Sequence, residues 1–287
     1  MPELPEVETI RRRLAPRVQG RVLAAVEISD PRWTRPRPPS EIEAALRGRR
    51  VERLGRRGKY LVWELEGGVS LVQHLRMTGA VLHDPPVEPA HARVRVDLDD
   101  GHRLVVDDPR RFGTGELCRS PEERDAFFAA RLGLEPFAPG FTPEHLRALG
   151  RACRAPVKAF LLDQRRVAGV GNIYADEALF RAGVHPLREA RALTRRQWEA
   201  VHGAVIEALA AGIAADGASI DDYRDPDGVR GSFQEEFLVH RREGEPCPRC
   251  GAPVRKLLAA GRGTYACERC QPRPRRARRA SGASGRS

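Results

Sequence analysis

Near residue 120 the chain changes its hydrophobic period, and that change limits the fold more than any single motif. Upstream, apolar and polar residues alternate in short runs: "RVLAAVEIS", "KYLVWELE", "VSLVQHL", "ARVRVDL" and "HRLVVDD". A period of two buries one face and solvates the other, which marks strands. The last two runs flank "DDG", a tight reversal, and so predict a hairpin. Downstream, "PEERDAFFAARLG", "TPEHLRALG", "APVKAFLLDQ", "NIYADEALFRAG" and "TRRQWEAVHGAVIEALAAGIAADG" carry helical spacing, with Ser, Thr, Pro or Asn near their starts. One helix precedes the strands: Val7, Ile10, Leu14 and Val18 share a face over residues 5–18, and Pro16 should end or bend it. Strands first and helices later predict an α+β chain, a sandwich or barrel opened by one helix and followed by a helical domain. The boundary should fall in "GLEPFAPG", residues 133–140. A length of 287 residues is enough for two real cores.

Four of the six cysteines stand as C-x2-C-x16-C-x2-C: Cys247, Cys250, Cys267 and Cys270. That spacing, with Pro and Gly at the knuckles, fits one tetrahedral structural zinc. Four thiolates leave no open position, so this zinc shapes a hairpin and does no chemistry. Between the pairs Arg262 sits between two glycines, where it can enter a groove or clamp a phosphate; a solvated turn is the alternative. Before the pairs, "DGASIDDYRDPDGVRGS" (216–232) is long, polar and Gly-rich, as a mobile functional loop would be.

The formal charge is +11, which points to a polyanionic partner. Six arginines lie in the acid-free stretch 271–287; without them the body carries +5. That stretch lacks apolar periodicity, and a disordered tail is expected over 272–287. No run of eighteen apolar residues occurs and no signal peptide is recognisable, so a soluble, cytoplasmic protein is expected. Only three of fifty basic residues are lysine: Lys59, Lys158 and Lys256. Where arginine serves as the generic cation, a retained lysine can mark a need for an ammonium that loses its proton, or can survive by chance.

The first eight residues, "MPELPEVE", hold two prolines and three glutamates. If Met1 is trimmed, Pro2 becomes a secondary amine, and an amino terminus titrates near ~8, leaving part of it neutral and nucleophilic. A plain helix start explains the same residues through Pro5 and the acidic first turn. "VAGVGNIYADEALF" reads as a glycine turn with Asn172 capping a helix, a place for a phosphate. "HLRMTG" and "DPRRFG" each set a large apolar side chain, Met77 and Phe112, beside arginine at a turn. Either is core by default, or a wedge for a base stack.

In collinear order, "MPELPEVET", "RRGKYL", "HLRMTG", "DPRRFG", "LLDQRRVAGVGNIYADEALF", "REGEPCPRCG" and "GRGTYACERCQ" make the sequence resemble the formamidopyrimidine-DNA glycosylases over residues 1–271. The resemblance implies an N-terminal helix and β-sandwich domain (1–132), a helix-two-turn-helix domain (133–240) with a lesion loop (216–232), and a zinc finger (241–271). It implies a monomeric base-excision-repair enzyme acting on damaged double-stranded DNA, associated with the nucleoid when bound. Pro2 would be the Schiff-base nucleophile, Glu3 a proton donor, Lys59 a proton donor in elimination, and Arg262 a phosphate clamp and proton donor in δ-elimination. Met77, Arg110 and Phe112 would fill the hole left by a flipped base, with Arg110 facing the orphaned cytosine. His74, Asn172, His91, Lys158, Tyr223 and His240 would be further DNA contacts, and Glu6 would hold the terminus. Three departures stand out: His240 where the family has tyrosine, making that contact pH-dependent; "AHARV" for "KHDHV", which keeps His91 but places Arg93 after it; and the basic tail. The nearest alternative is the endonuclease VIII branch, acting on oxidised pyrimidines, against which Leu4 and the three wedge residues speak. A zinc-ribbon DNA-binding protein without catalysis is the alternative of another class, opposed by intact Pro2, Glu3 and Lys59.

Overall fold

The computed structural model describes residues 1–220 and 223–274. Helix α1 (Leu4–Val18) carries Pro5 in its first turn, where a missing N–H costs nothing. Val7, Ile10, Leu14 and Val18 are fully buried, so the helical spacing is the buried face. Pro16 does not end the helix. Only the last turn lies beyond it, and that turn closes through the Gln19 N–H to the Ala15 carbonyl at 3.0 Å.

Eight strands follow: β1 (Leu23–Ile28), β2 (Val51–Arg57), β3 (Tyr60–Leu65), β4 (Ser70–His74), β5 (Ala80–His83), β6 (Ala92–Leu98), β7 (Arg103–Asp107) and β8 (Thr114–Cys118). They form two antiparallel sheets, ordered β1-β6-β7-β5 and β2-β3-β4-β8. Val26, Val94 and Leu104 of one sheet share a core with Leu54, Trp63 and Leu71 of the other, so the architecture is a sandwich and not a barrel. The expected hairpin joins β6 to β7, with Asp97 opposite Arg103 and Gly101 at φ +89°.

Helices α2 (Pro39–Leu46) and α3 (Pro121–Ala129) flank the sandwich, and α4 (Pro143–Gly150), α5 (Val157–Leu162), α6 (Asn172–Arg181) and α7 (Arg195–Ala214) follow. Ser120, Thr142 and Thr194 cap α3, α4 and α7, each hydroxyl accepting from the N–H three residues on. The later helices enclose a second core around Phe160, Tyr174, Trp198 and Leu209. Leu4 belongs to that core, whereas Val7 to Val18 belong to the sandwich. Helix α1 therefore pins the two together. Arg56 of β2 adds a polar pin, donating to Glu8 at 3.0 Å and to both oxygens of Glu135 at 2.9 and 3.0 Å. Burial pushes the Glu8 carboxyl up, but Arg11, Arg12 and Arg56 outweigh it and hold the group at about 2. The chain finishes in a two-stranded hairpin, β9 (Arg255–Ala259) and β10 (Arg262–Ala266), turning through Ala260 and Gly261 at positive φ.

Candidate active site

The amino terminus does not fray. Leu4 N–H donates to the Gly169 carbonyl at 3.1 Å, and a Glu3 oxygen accepts from Ile173 N–H at 3.1 Å. This seats the Glu3 carboxylate at the start of α6, where free backbone donors and the helix dipole favour negative charge. Gly171, not Asn172, is the N-cap residue of α6, because the carboxylate from the terminus takes the capping position. Asn172 instead donates through Nδ2 to the Gly263 carbonyl of the zinc hairpin at 3.1 Å. A Cβ at residue 171 would lie 2.1 Å from Glu3 Cδ, so only glycine fits there. Gly171→Ala should push Glu3 off the helix. A displacement of ~1 Å in a catalytic group costs on the order of 10²-fold in rate. Strand cleavage should therefore fall by about that factor while DNA affinity holds, and a wild-type cleavage rate would refute the placement of Glu3.

Glu6 is fully buried and has its acceptors occupied: Glu3 N–H at 2.7 Å on one oxygen, Tyr174 Oη at 2.7 Å and Ala218 N–H at 2.8 Å on the other. Burial, then the neighbouring Glu3, pushes its carboxyl up. So placed, Glu6 ties the terminus to the loop after α7. Pro2 is buried, and Met1 opens onto a cavity of about 220 Å³. Glu3, Met77, Arg110, Asn172, Tyr223, His240 and Arg262 line the same cavity, joining residues from the terminus to the hairpin tip.

Lys59 lies just outside this lining, buried after the β2–β3 turn. Burial pulls its ammonium below the usual lysine value, Glu3 and Glu6 oppose that, and Arg262 adds to it. Burial thus outweighs the two glutamates that help to hold its proton. His74 ends β4, buried against Tyr60, and its Nδ1 accepts from Arg76 N–H at 2.9 Å. Burial, then Arg76 and Lys59, pushes its pKa down to about 3, so the ring is neutral and its proton sits on Nε2.

The wedge residues stand on two turns that brace each other. Thr78 Oγ1 donates to Asp108 at 2.6 Å and accepts from Arg110 N–H at 3.3 Å, while the other Asp108 oxygen accepts from Gly113 N–H at 2.7 Å. Arg111 grips buried Asp30 with two bonds at 2.6 and 2.9 Å. Above this frame Met77 and Phe112 are exposed, at 36 and 51 %, with the Arg110 guanidinium 5.0 Å from the Phe112 ring centre. Neither is core. His91 is exposed nearby and holds Asp108 N–H on its carbonyl at 3.1 Å, and Arg93 donates to the Asp108 carbonyl at 3.0 Å. Thr78, Asp108, Asp30 and Arg111 escape sequence reading, although Asp108 and Arg111 flank the arginine of "DPRRFG".

Lys158 is held inside the protein. Its side chain is fully buried and donates to Asp176 at 2.7 Å, Thr264 Oγ1 at 2.8 Å and the Gly263 carbonyl at 3.1 Å. An ammonium has three donors, and all are used here, so Lys158 props the hairpin. The second Asp176 oxygen contacts His240 Nδ1 at 2.9 Å. Tyr223 is buried over Glu6, and residues 221–222 of the expected lesion loop lie outside the described residues, as do 275–287 of the expected tail.

The four cysteine sulfurs of 247, 250, 267 and 270 lie within 4.8 Å of one another, with Cys247 to Cys270 at 3.8 Å and Cys250 to Cys267 at 3.5 Å. Zn–S bonds of ~2.3 Å in a tetrahedron put sulfurs about 3.8 Å apart, so the donors fit one structural zinc. That metal fixes the base of the hairpin whose exposed tip is Arg262.

Comparison with known proteins agrees with this geometry. Family models match as the formamidopyrimidine-DNA glycosylase N-terminal domain (residues 1–115), its H2TH domain (132–224) and the zinc finger found in FPG and IleRS (244–273). Formamidopyrimidine-DNA glycosylase of Chloroflexus aggregans is 46 % identical over 94 % of this chain and 98 % of its own. The crystal structure of MutM (Fpg) from Thermus thermophilus superposes with a TM-score of 0.85 at 45 % identity, covering 94 % of this chain and 98 % of that one. A Lactococcus lactis Fpg variant in complex with Fapy-dG-containing DNA gives 0.88 at 36 % identity, covering 95 and 100 %. No helix among the described residues is long and apolar enough to cross a membrane. On the three matched domains and this near-complete coverage, the chain belongs to the formamidopyrimidine-DNA glycosylase family of base-excision-repair enzymes.

Proposed function

We propose that this enzyme excises oxidised purines, 8-oxoguanine and formamidopyrimidines, from duplex DNA and then cuts the strand by β,δ-elimination. The observation that carries the reading is that Met1 and Glu3, the neighbours of buried Pro2, line one cavity, with Glu3 anchored on a helix N-terminus. Freed of Met1, the Pro2 amine attacks C1′, and the bond to the damaged base breaks with its electron pair leaving on the base. The proton released from the attacking nitrogen passes to the Glu3 carboxylate, which delivers it to O4′ as the sugar opens, giving an iminium. A secondary amine suits this, since its iminium is cationic without an added proton. The cation acidifies the 2′-hydrogen, so loss of that proton expels the 3′ phosphate, and a second elimination expels the 5′ phosphate. Lys59, coupled to both glutamates, and Arg262, at the hairpin tip, are the proposed proton carriers for these eliminations. His74 offers a neutral Nε2–H to a phosphate, and Asn172 is the second proposed member of that clamp. Lactococcus lactis Fpg has been solved both with Fapy-dG-containing DNA and with oxidised-pyrimidine-containing DNA, so the purine assignment rests on Leu4 and on Met77, Arg110 and Phe112.

Treating an 8-oxoguanine duplex with the enzyme and borohydride tests the whole reading. A covalent protein–DNA adduct and cut strands are expected; intact DNA with binding alone would favour the zinc-ribbon alternative. Excision of oxidised pyrimidines with purines untouched would favour the endonuclease VIII branch.

Arg110 should set the choice of opposing base. Its guanidinium stands exposed on a braced turn, and cytosine presents O2 and N3 as acceptors to that fork. Arg110→Ala is expected to cut discrimination between opposing cytosine and adenine by ~1–3 kcal/mol, the worth of one bidentate contact. Overall affinity should fall less, since the phosphate contacts remain. Equal weakening against every opposing base would assign Arg110 to the backbone instead.

A further inference from the structure

One cluster outside the cavity plays no part in this chemistry. His83 ends β5, Asp84 follows at φ +45°, and His102 stands just before β7. We propose that His83, Asp84 and His102 form a second metal site, two imidazoles and one carboxylate, for a divalent late transition ion such as nickel, copper or zinc. One Asp84 oxygen accepts from Arg103 N–H at 2.7 Å, which orients the carboxylate so that its other oxygen points between the two rings. That support is the outer hydrogen bond a metal-binding carboxylate needs. His83 Nδ1 lies 3.4 Å from that second oxygen, and one ligand atom from each of the three residues falls within 4.8 Å of the others.

Two ligands bound at ~2.0–2.1 Å to a tetrahedral ion are about 3.4 Å apart, and the His83–Asp84 edge already has that length. The His102–Asp84 edge is a hydrogen bond, whose proton the metal would displace. His102 is half exposed, which leaves the remaining coordination position to water. Arg17, whose charge reaches His83, is already paired with both oxygens of Asp227 at 2.6 and 3.1 Å. Imidazole with carboxylate favours late first-row ions over calcium or magnesium.

The site also touches the loop beside the cavity. His83 N–H donates to the Pro226 carbonyl at 2.9 Å, and Asp225 N–H donates to the Val229 carbonyl at 2.9 Å. An ion held by His83 would therefore brace the 225–229 turn against the sandwich edge.

Calorimetric titration of the zinc-replete full chain with Ni²⁺ tests this. About one further ion per chain is expected, as one three-residue site requires. Both His102→Gln and Asp84→Asn should weaken it at least tenfold. His102 is exposed on a turn, and Asn keeps an oxygen for Arg103 N–H, so both variants should fold. Ni²⁺ should also slow amide exchange at Gly228 and Val229 in the parent and not in the variants. Titration with Co²⁺ guards against exchange at the cysteines, which would announce itself as an intense thiolate charge-transfer band. No further Ni²⁺ bound, or an affinity in both variants equal to that of the parent, overturns the proposal.

Discussion

Protein that keeps Met1 should form no borohydride-stable crosslink with damaged DNA, whereas the same chain beginning at Pro2 should crosslink readily. With Met1 in place the proline nitrogen is an amide, its lone pair is delocalised, and the methionine itself lines the cavity. Loss of a covalent nucleophile lowers a rate by at least ~10³-fold, so the contrast should be unmistakable. Pro2→Gly restores an amine, but a primary one, and should trap more slowly than the parent. Intact-mass spectrometry of each preparation fixes which terminus was assayed. Full-rate trapping by protein whose mass includes Met1 would remove Pro2 from the mechanism.

Zinc loss is the second large effect. Chelation, or Cys267→Ser, frees the base of the hairpin that carries Arg262 and the acceptors for Lys158. The proposed Arg262 contact to phosphate would be worth ~1.5–3 kcal/mol as a charge-assisted hydrogen bond, so affinity should fall at least tenfold. Losing Gly263 and Thr264 also leaves the Lys158 ammonium buried with Asp176 alone, which makes the local disruption cooperative. The sandwich should stay folded, because none of the hairpin contributes to its core. Near-ultraviolet signals from Trp33 and Trp63 should persist while DNA binding collapses. Metal-free protein that binds DNA at full affinity would show the hairpin to be dispensable.

What the sequence disclosed and what it hid divide by range. Periodicity exposed the buried face of α1, the β6–β7 hairpin and the long α7, because those patterns are set by neighbours three, four or two residues away. Cysteine spacing worked for the same reason: the ligands come in local pairs. Strand β2 was missed because "VERLGRR" is weighted with arginine, whose charges here pair with Glu8, Glu64 and Glu135. The burial of Lys158 had no local sign, since its partners lie 18, 105 and 106 residues on. Nor could any window show that Gly171 is glycine for the sake of Glu3, or that Thr78 and Asp108 tie two wedge turns together. Resemblance to a family named the site residues; only packing says which of them face the cavity and which hold those that do.

The anchoring of the first residues has a consequence for how the protein is made. Leu4, Glu3 and Glu6 find their partners at Gly169, Ile173, Tyr174 and Ala218. During synthesis the terminus leaves the ribosome first, yet nothing can receive it until three quarters of the chain has followed. At ~5–20 residues per second that is an interval on the order of ten seconds or more. In that interval the Met1–Pro2 bond hangs free and open to an aminopeptidase. Afterwards Pro2 is buried. On the proposed mechanism, the nucleophile is therefore unmasked before the site that uses it exists, and the half-made protein carries a bare amine with no cavity to act in.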